Sequence, residues 1–161
     1  MELSAIRRRD VAELVGWVVL AQLAGLVGSV FTVTSIGSWY DTLVRPEFAP
    51  PNWVFGPVWT TLFALMGVAA FLVSQSNSPR TRRALTVFGA QLVVNVAWSA
   101  AFFGLQSPAL GLVVIVVLLG AICLTMWEFA QVDRRAALLL VPYLAWVAFA
   151  TVLNYGFWTL N

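Results

Sequence analysis

The chain has 161 residues, of which 61% are hydrophobic and 10% are charged, and its mean hydropathy is +0.88. Soluble domains carry about 25% charged residues, so this composition excludes an ordinary soluble protein and indicates an integral membrane protein. The formal net charge of +2 requires no nucleic-acid partner.

Several uncharged apolar runs are long enough to cross a bilayer, because a membrane helix needs about 20 apolar residues. The run between Arg83 and Glu128 is too long for one crossing, and Gly104 with Pro108 divides it into a tight helical hairpin. The sequence therefore predicts an all-α membrane protein, a five transmembrane helix bundle in a single domain over residues 11–161. The predicted spans are 14–33, 54–74, 84–105, 109–127 and 136–158.

Arginine carries all of the basic charge and indicates the orientation of these spans. Arginines precede the first, third and fifth spans, and only Arg45 follows the first span. By the positive-inside rule, the N-terminus and a short extension, residues 1–10, are predicted in the cytoplasm. The C-terminus and the long loop between the first two spans, residues 34–53, are then extracytoplasmic.

The first span carries small residues at four-residue spacing, namely Ala21, Gly25 and Ser29. The third span offers a similar face that includes Gly89 and Ala97. Small residues let two helices approach closely. These faces indicate either packing within one chain or a homodimer contact, and the sequence does not choose between them.

The loop at residues 34–53 has a specified shape. Pro46, Pro50 and Pro51 favour a stiff extended segment, because proline fixes its own φ and lacks a backbone N–H. Aromatic rings alternate with these prolines. The segment is interpreted either as a lid over an apolar ligand or as a membrane-interface belt with a rigid turn. The aromatic residues are Trp39, Tyr40, Phe48 and Trp53.

Unusual side chains gather in the extracytoplasmic half of the predicted bundle. Trp59, Trp98 and Trp146 lie deeper than an interfacial belt would place them. Asn95 and Asn154 lie at similar depth, and amides in lipid are costly unless they are paired or face a cavity. For Asn95 with Trp98 the sequence favours a cavity. Gln91, one turn before Asn95, is better explained as a contact between helices.

Several kinds of chemistry lack the residues they need. The sequence contains no histidine and a single cysteine, Cys123, so no imidazole is offered to a metal or haem and no intrachain disulfide is predicted. There is no phosphate loop and no nucleophile with a histidine base. Hydrolytic and phosphoryl-transfer enzymes are therefore excluded, and no metal site or intrinsic cofactor is expected.

Four ordered motifs carry a resemblance to a known family. They are WYDTLVRP, PPNWVFGPVWT, AQLVVNVAWSAAFFG and PYLAWVAFATVLN. In these the chain resembles the translocator protein family, also called tryptophan-rich sensory proteins or peripheral-type benzodiazepine receptors. The resemblance implies a five-helix bundle whose first extracytoplasmic loop covers a pocket for porphyrins and synthetic ligands, and in some members sterols. It also implies a homodimer.

The resemblance assigns residues by position. It implies that Trp59 and Trp146 correspond to tryptophans associated with light-dependent porphyrin breakdown in some members. Arg45 stands where lysine is usual. Tyr155 is not followed by the basic residue of the animal sterol motif, so sterol recognition of that kind is not expected. The implied ligand-binding residues are Tyr40, Pro46, Pro51, Trp59, Asn95, Trp98, Trp146, Ala150 and Asn154.

Three functions follow as hypotheses. The first is a membrane receptor or sensor that binds porphyrin-type tetrapyrroles or similar apolar ligands under the lid. Binding would serve either sensing or transport, and the sequence does not choose between them. The second is a light-dependent porphyrin-degrading enzyme that uses Trp59 and Trp146. The third is a helix-bundle interaction protein that regulates a membrane partner.

Overall fold

In the computed structural model, which describes the backbone of residues 2–161 and the side chains from residue 7 onward, every regular element is helical. Five stretches are long and apolar enough to cross a membrane. The predicted five-helix bundle is therefore confirmed. Its elements are α1 (Glu2–Ser35), a 3₁₀ turn (Tyr40–Thr42), α2 (Asn52–Ser74), α3 (Thr81–Ser99) with a π turn (Ala100–Gly104), α4 (Pro108–Ala130), α5 (Arg134–Leu139) and α6 (Val141–Leu160).

The helices extend beyond the uncharged runs that predicted them. α1 begins at Glu2 rather than at residue 14, so residues 2–10, expected as a separate extension, continue the first helix; Met1 lies outside the described residues. Charged residues end a hydrophobic run, but they do not end a helix, because arginine and glutamate are good helix formers.

The fifth span is divided. It runs over Arg134–Leu160 but is interrupted at Leu140, between α5 and α6. Pro142 lies in the first turn of α6 and has no N–H to donate to the carbonyl four residues earlier, so the α-helical ladder is broken at this point. The uncharged run predicts one helix over residues 136–158, and Pro142 explains the difference.

The hairpin turn lies at residues 105–107, between α3 and α4. The last turn of α3 widens into a π turn, in which the Leu105 N–H donates to the Ala100 carbonyl at 2.7 Å. Gln106 adopts a positive φ of 53°. The Ser107 hydroxyl then caps α4 by accepting a hydrogen bond from the Leu110 N–H at 3.1 Å.

The spans form a closed series in which α1 packs against α2 and α3, α4 packs against α3 and α6, and α2 packs against α5. α1 and α2 approach each other closely at Gly67. A Cβ added to Gly67 would lie 2.5 Å from Val18 Cα, so only glycine allows this contact. The bundle has two ends: the lid end, where α1 finishes and α2 begins, and the arginine end, where Arg80 and Arg134 lie.

Residues 36–51, here called the lid segment, connect α1 to α2 at the lid end. After the 3₁₀ turn, residues 43–51 contain no helix or strand, as expected for a segment with three prolines. Arg45 braces the segment, since its guanidinium donates to Asn52 Oδ1 and to the Pro50 carbonyl, both at 2.9 Å. It also lies 5.6 Å from the centre of the Tyr40 ring, a distance typical of cation–π contacts.

The same segment is fastened to α6 and the residue that follows it. The Val44 N–H donates to Asn161 Oδ1 at 2.9 Å, and Asn161 Nδ2 donates to the Val44 carbonyl at 3.1 Å. Pro46 is buried against Gly156, where an added Cβ would meet the proline ring at 2.7 Å. The lid segment therefore contacts α2, through Asn52, and α6, through Gly156.

A charged residue is buried within α4. Glu128 is 0% exposed, and its Oε1 lies 2.9 Å from Arg83 Nε of α3. The geometry is that of an ion pair rather than of an aligned hydrogen bond, because neither carboxylate oxygen meets hydrogen-bond angles with the described residues. The predicted span ends one residue before Glu128, so the burial of this side chain is not expected from the hydropathy pattern.

Candidate ligand cavity

A cavity of about 580 Å³ lies between α1, α2, α3 and α6, beneath the lid segment. This volume is within the 300–1,000 Å³ typical of small-molecule sites. Its walls are mainly apolar and aromatic, and the few polar side chains come from all four helices and from Tyr40 of the 3₁₀ turn. A cavity of this composition is suited to a largely apolar ligand with a small number of polar groups.

Indole rings line the cavity from three different helices. Trp59 of α2 and Trp98 of α3 have ring centroids 6.1 Å apart and are tilted by 35°. On the far side, Trp146 of α6 packs edge-on against Phe55 of α2, with centroids 5.8 Å apart. These contacts between rings fix their orientation, so flat apolar surfaces face the same space from α2, α3 and α6.

The floor of the cavity is a chain of hydrogen bonds. Asn95, which lines the cavity, donates to the Tyr143 hydroxyl at 2.8 Å, and that hydroxyl donates to Gln91 Oε1 at 2.8 Å. Gln91 also points Nε2 at Met66 Sδ, 3.7 Å away. Gln91 therefore joins helices, as the sequence analysis favoured, whereas Asn95 both joins helices and faces the cavity.

A second polar group connects three helices at the wall. Trp98 Nε1 donates to Asn154 Oδ1 at 3.1 Å, and Asn154 Nδ2 donates to the Pro108 carbonyl at 2.8 Å. Gly111 leaves room for this arrangement, since a Cβ there would lie 3.0 Å from Asn154 Oδ1. Asn154 thus holds the Trp98 ring in place and uses its own polar atoms in doing so.

Trp146 differs from Trp98 in the hydrogen bonding of its indole N–H. Its indole N–H is buried and has no acceptor among the described residues. A buried donor without a partner costs about 1–3 kcal/mol. A buried donor without a partner calls for an explanation. Trp146 lines the cavity, so the explanation is sought in the function of the cavity.

Tyr40 closes the cavity at the lid end. Its ring is buried and packs against Phe103 and Phe157, with centroids 5.6 and 5.5 Å away. Burial raises the pKa of the Tyr40 hydroxyl above its ordinary value, although the charge of Arg45 opposes this effect. At neutral pH the hydroxyl is therefore protonated and can donate a hydrogen bond.

Small residues of α1 allow aromatic and polar groups of other helices to reach the cavity. A Cβ added at Gly25 would lie 2.6 Å from the Phe63 ring, and one at Gly28 would lie 3.3 Å from Ser99 Oγ. These two glycines therefore serve packing within the chain. On the third span, Gly89 meets nothing within 4 Å and Ala97 is exposed.

The sequence-predicted residues divide into two groups. Pro46 and Pro51 do not line the cavity: Pro46 packs against α6, and Pro51 is exposed at the start of α2. Both shape the lid segment instead. The residues that line the cavity are Tyr40, Trp59, Asn95, Trp98, Trp146, Ala150 and Asn154.

Sequence reasoning missed the contribution of α1, whose Gln22, Ser29 and Thr32 line the cavity. Gln22 could have been found, because it is an amide within an otherwise apolar run. It donates to the Thr60 carbonyl of α2 at 2.8 Å. Phe103, in the π turn, was also missed, since helical spacing does not describe that turn.

Taken together, the fold and the cavity define a multi-pass integral membrane protein whose helices enclose an aromatic, lid-covered cavity. Residues 17–159 match the TspO/MBR family. Because the match covers most of the chain, this protein belongs to that family.

Individual relatives agree with this assignment. The chain is 46% identical over 144 residues to the tryptophan-rich protein TspO of Chlorobaculum tepidum, covering 88% of this chain and 91% of the relative. It is 40% identical over 149 residues to the human translocator protein, with 91% and 88% covered. It is 42% identical over 123 residues to the tryptophan-rich sensory protein of Cereibacter sphaeroides, with 76% and 77% covered.

Proposed function

We propose that this protein is a membrane receptor that binds a flat, largely apolar tetrapyrrole of the porphyrin type in the cavity, and that it mediates exchange of this ligand. The observation that carries the proposal is the set of indole rings that reach one cavity from α2, α3 and α6. Aromatic faces on several walls favour a planar ligand, because offset stacking and edge contacts are both available to it.

The polar groups of the cavity are suited to the edge of such a ligand. Tyr40 offers a hydroxyl at the lid end, and Asn95 offers an amide at the floor. Arg45 is exposed, and its guanidinium is already hydrogen-bonded to Asn52 and to the Pro50 carbonyl. The proposal therefore assigns polar contacts to Tyr40 and Asn95, and it gives Arg45 the role of bracing the lid segment.

The test is a titration with protoporphyrin IX in detergent, kept in the dark and followed by ligand absorbance. Wild type should bind saturably. Trp59→Phe with Trp146→Phe should weaken affinity about tenfold, since an aromatic contact contributes about 0.5–1.5 kcal/mol beyond its area. The matched control is Trp127→Phe with Trp158→Phe, because both of these indoles are exposed. Equal affinities for the two double variants would remove the site assignment.

We also propose that the arginine end faces the cytoplasm and the lid end faces the extracytoplasmic side. The clusters Arg7–Arg9, Arg80–Arg83 and Arg134–Arg135 mark one end of the bundle, whereas Arg45 lies at the other. A basic bias of this kind in short loops fixes the orientation of membrane proteins. The lid segment would then cover the cavity from outside the cell.

A further inference from the structure

The cavity is less enclosed between α1 and α2 than the lid suggests. Leu26 and Val33 of α1 line it and are also 63% and 70% exposed. Gly56 and Thr60 of α2 line it and are exposed as well. Residues that belong both to the cavity wall and to the outer surface mark the place where the cavity meets the exterior.

This opening lies within the membrane. Leu26 and Val33 belong to the span Arg7–Ser35, and Gly56 and Thr60 belong to the span Asn52–Ser74. The exposed surface of these spans faces hydrocarbon, and Leu26 and Val33 are apolar side chains that hydrocarbon solvates without cost. The cavity therefore communicates with lipid rather than with water at this position.

The chemistry of the α1–α2 boundary agrees with a permanent opening. At the lower edge, Gln22 of α1 donates to the Thr60 carbonyl across the boundary at 2.8 Å, which joins the two helices where they still touch. Above it Gly56 supplies no side chain, and an added Cβ would meet nothing within 4 Å. A space that a side chain could fill is left empty at the mouth of the cavity.

The lid segment, in contrast, is held at several points. Asn161 pairs with both backbone groups of Val44, Arg45 binds Asn52 and the Pro50 carbonyl, and Pro46 packs on Gly156. Opening the lid would break its contacts to Asn161 and Gly156, whereas the Arg45 contacts are local and brace the segment from within. Passage between α1 and α2 requires none of them to break.

We propose that membrane-dissolved flat apolar ligands enter and leave the cavity sideways, from the bilayer, through the opening between α1 and α2 above the Gln22–Thr60 contact. Gly56 and Leu26 border this portal from opposite helices. The lid segment then acts as a fixed cover that keeps water out rather than as a door. This inference rests on the proposed ligand-binding function and concerns the route by which the same cavity is filled.

The test measures rates in lipid nanodiscs with protoporphyrin IX dissolved in the bilayer, followed by ligand fluorescence. Gly56→Leu should slow association by about tenfold, as expected for a raised barrier at the portal. Leu26→Trp narrows the portal from the other helix and should act in the same direction. The matched controls are Gly120→Leu, where an added Cβ also meets nothing within 4 Å, and Val116→Trp, which is likewise exposed.

Asn161→Ala tests the alternative route, entry through the lid, because it loosens the lid segment without changing the portal. The lateral route predicts that its rates stay within about twofold of wild type. The inference is overturned if Asn161→Ala accelerates exchange while Gly56→Leu and Leu26→Trp match their controls. If Gly56→Leu and Leu26→Trp change the Kd but leave the association rate unchanged, the lateral route is equally overturned. Failure of the proposed function is distinguishable, since wild type would then show no saturable binding at all.

Discussion

Tyr143 shows how a single hydroxyl fixes the floor of the cavity. It accepts a hydrogen bond from Asn95 and donates one to Gln91, both at 2.8 Å, while its ring packs edge-on against Trp59 with centroids 6.2 Å apart. Three residues with different roles thus depend on one side chain. In a bilayer such contacts are valuable because neither amide finds water as an alternative partner.

Tyr143→Phe should destabilise the protein by about 0.6–1.7 kcal/mol, the range of interhelical polar contacts in membranes. The substitution leaves Asn95 and Gln91 without their shared partner but keeps the ring. Thermal unfolding in detergent measures the effect. Tyr155→Phe is the control, since Tyr155 is exposed. If the two variants melt at the same temperature, the hydroxyl does not stabilise the floor.

At the scale of the helices, glycine determines how closely α1 and α2 approach. Gly67→Ala would place a methyl group 2.5 Å from Val18 Cα and 2.8 Å from Val18 N. Because these atoms are backbone, the helices must separate, and the expected cost is about 1–3 kcal/mol. Thermal unfolding again measures it.

The control variant, Gly120→Ala, is expected to change stability in the opposite direction to Gly67→Ala. Gly120→Ala adds a methyl group where nothing lies within 4 Å, so helix propensity should stabilise α4 by up to about 1 kcal/mol. A common loss of stability in both variants would show that alanine is disfavoured for a reason other than the α1–α2 contact.

The helices and the cavity differ in how far the sequence predicts them. Hydropathy located five spans because lipid imposes the same requirement on each helix separately. Depth along the spans located Trp59, Trp98 and Trp146, because an indole well inside a span is unusual. The hydrogen-bond partners of the polar residues could not be predicted from the sequence. Asn154 bonds to the Pro108 carbonyl, and Asn161 bonds to Val44. Backbone groups carry no sequence signal, and these contacts join distant parts of the chain.

For the molecule as a whole, the proposed orientation can be tested by labelling with a membrane-impermeant maleimide. In a Cys123→Ala background, Glu47→Cys in the lid segment should react in intact cells. Asn77→Cys, in the turn between α2 and α3, should react only after permeabilisation. Both positions are exposed, so each thiol should react once the reagent reaches its side of the membrane. The reverse pattern would invert the orientation assigned from the arginines.

The buried pair Arg83–Glu128 has a consequence for how the chain enters the membrane during synthesis. A carboxylate costs about 2.5–3.5 kcal/mol on insertion at the centre of a span and less near its end, where Glu128 lies in α4, fully buried with its cationic neighbour on α3. If α4 entered the membrane alone, this carboxylate would lack its cationic partner. Leaving the translocon together with α3, as one hairpin joined by residues 105–107, keeps the two charges paired. We therefore expect α3 and α4 to insert together.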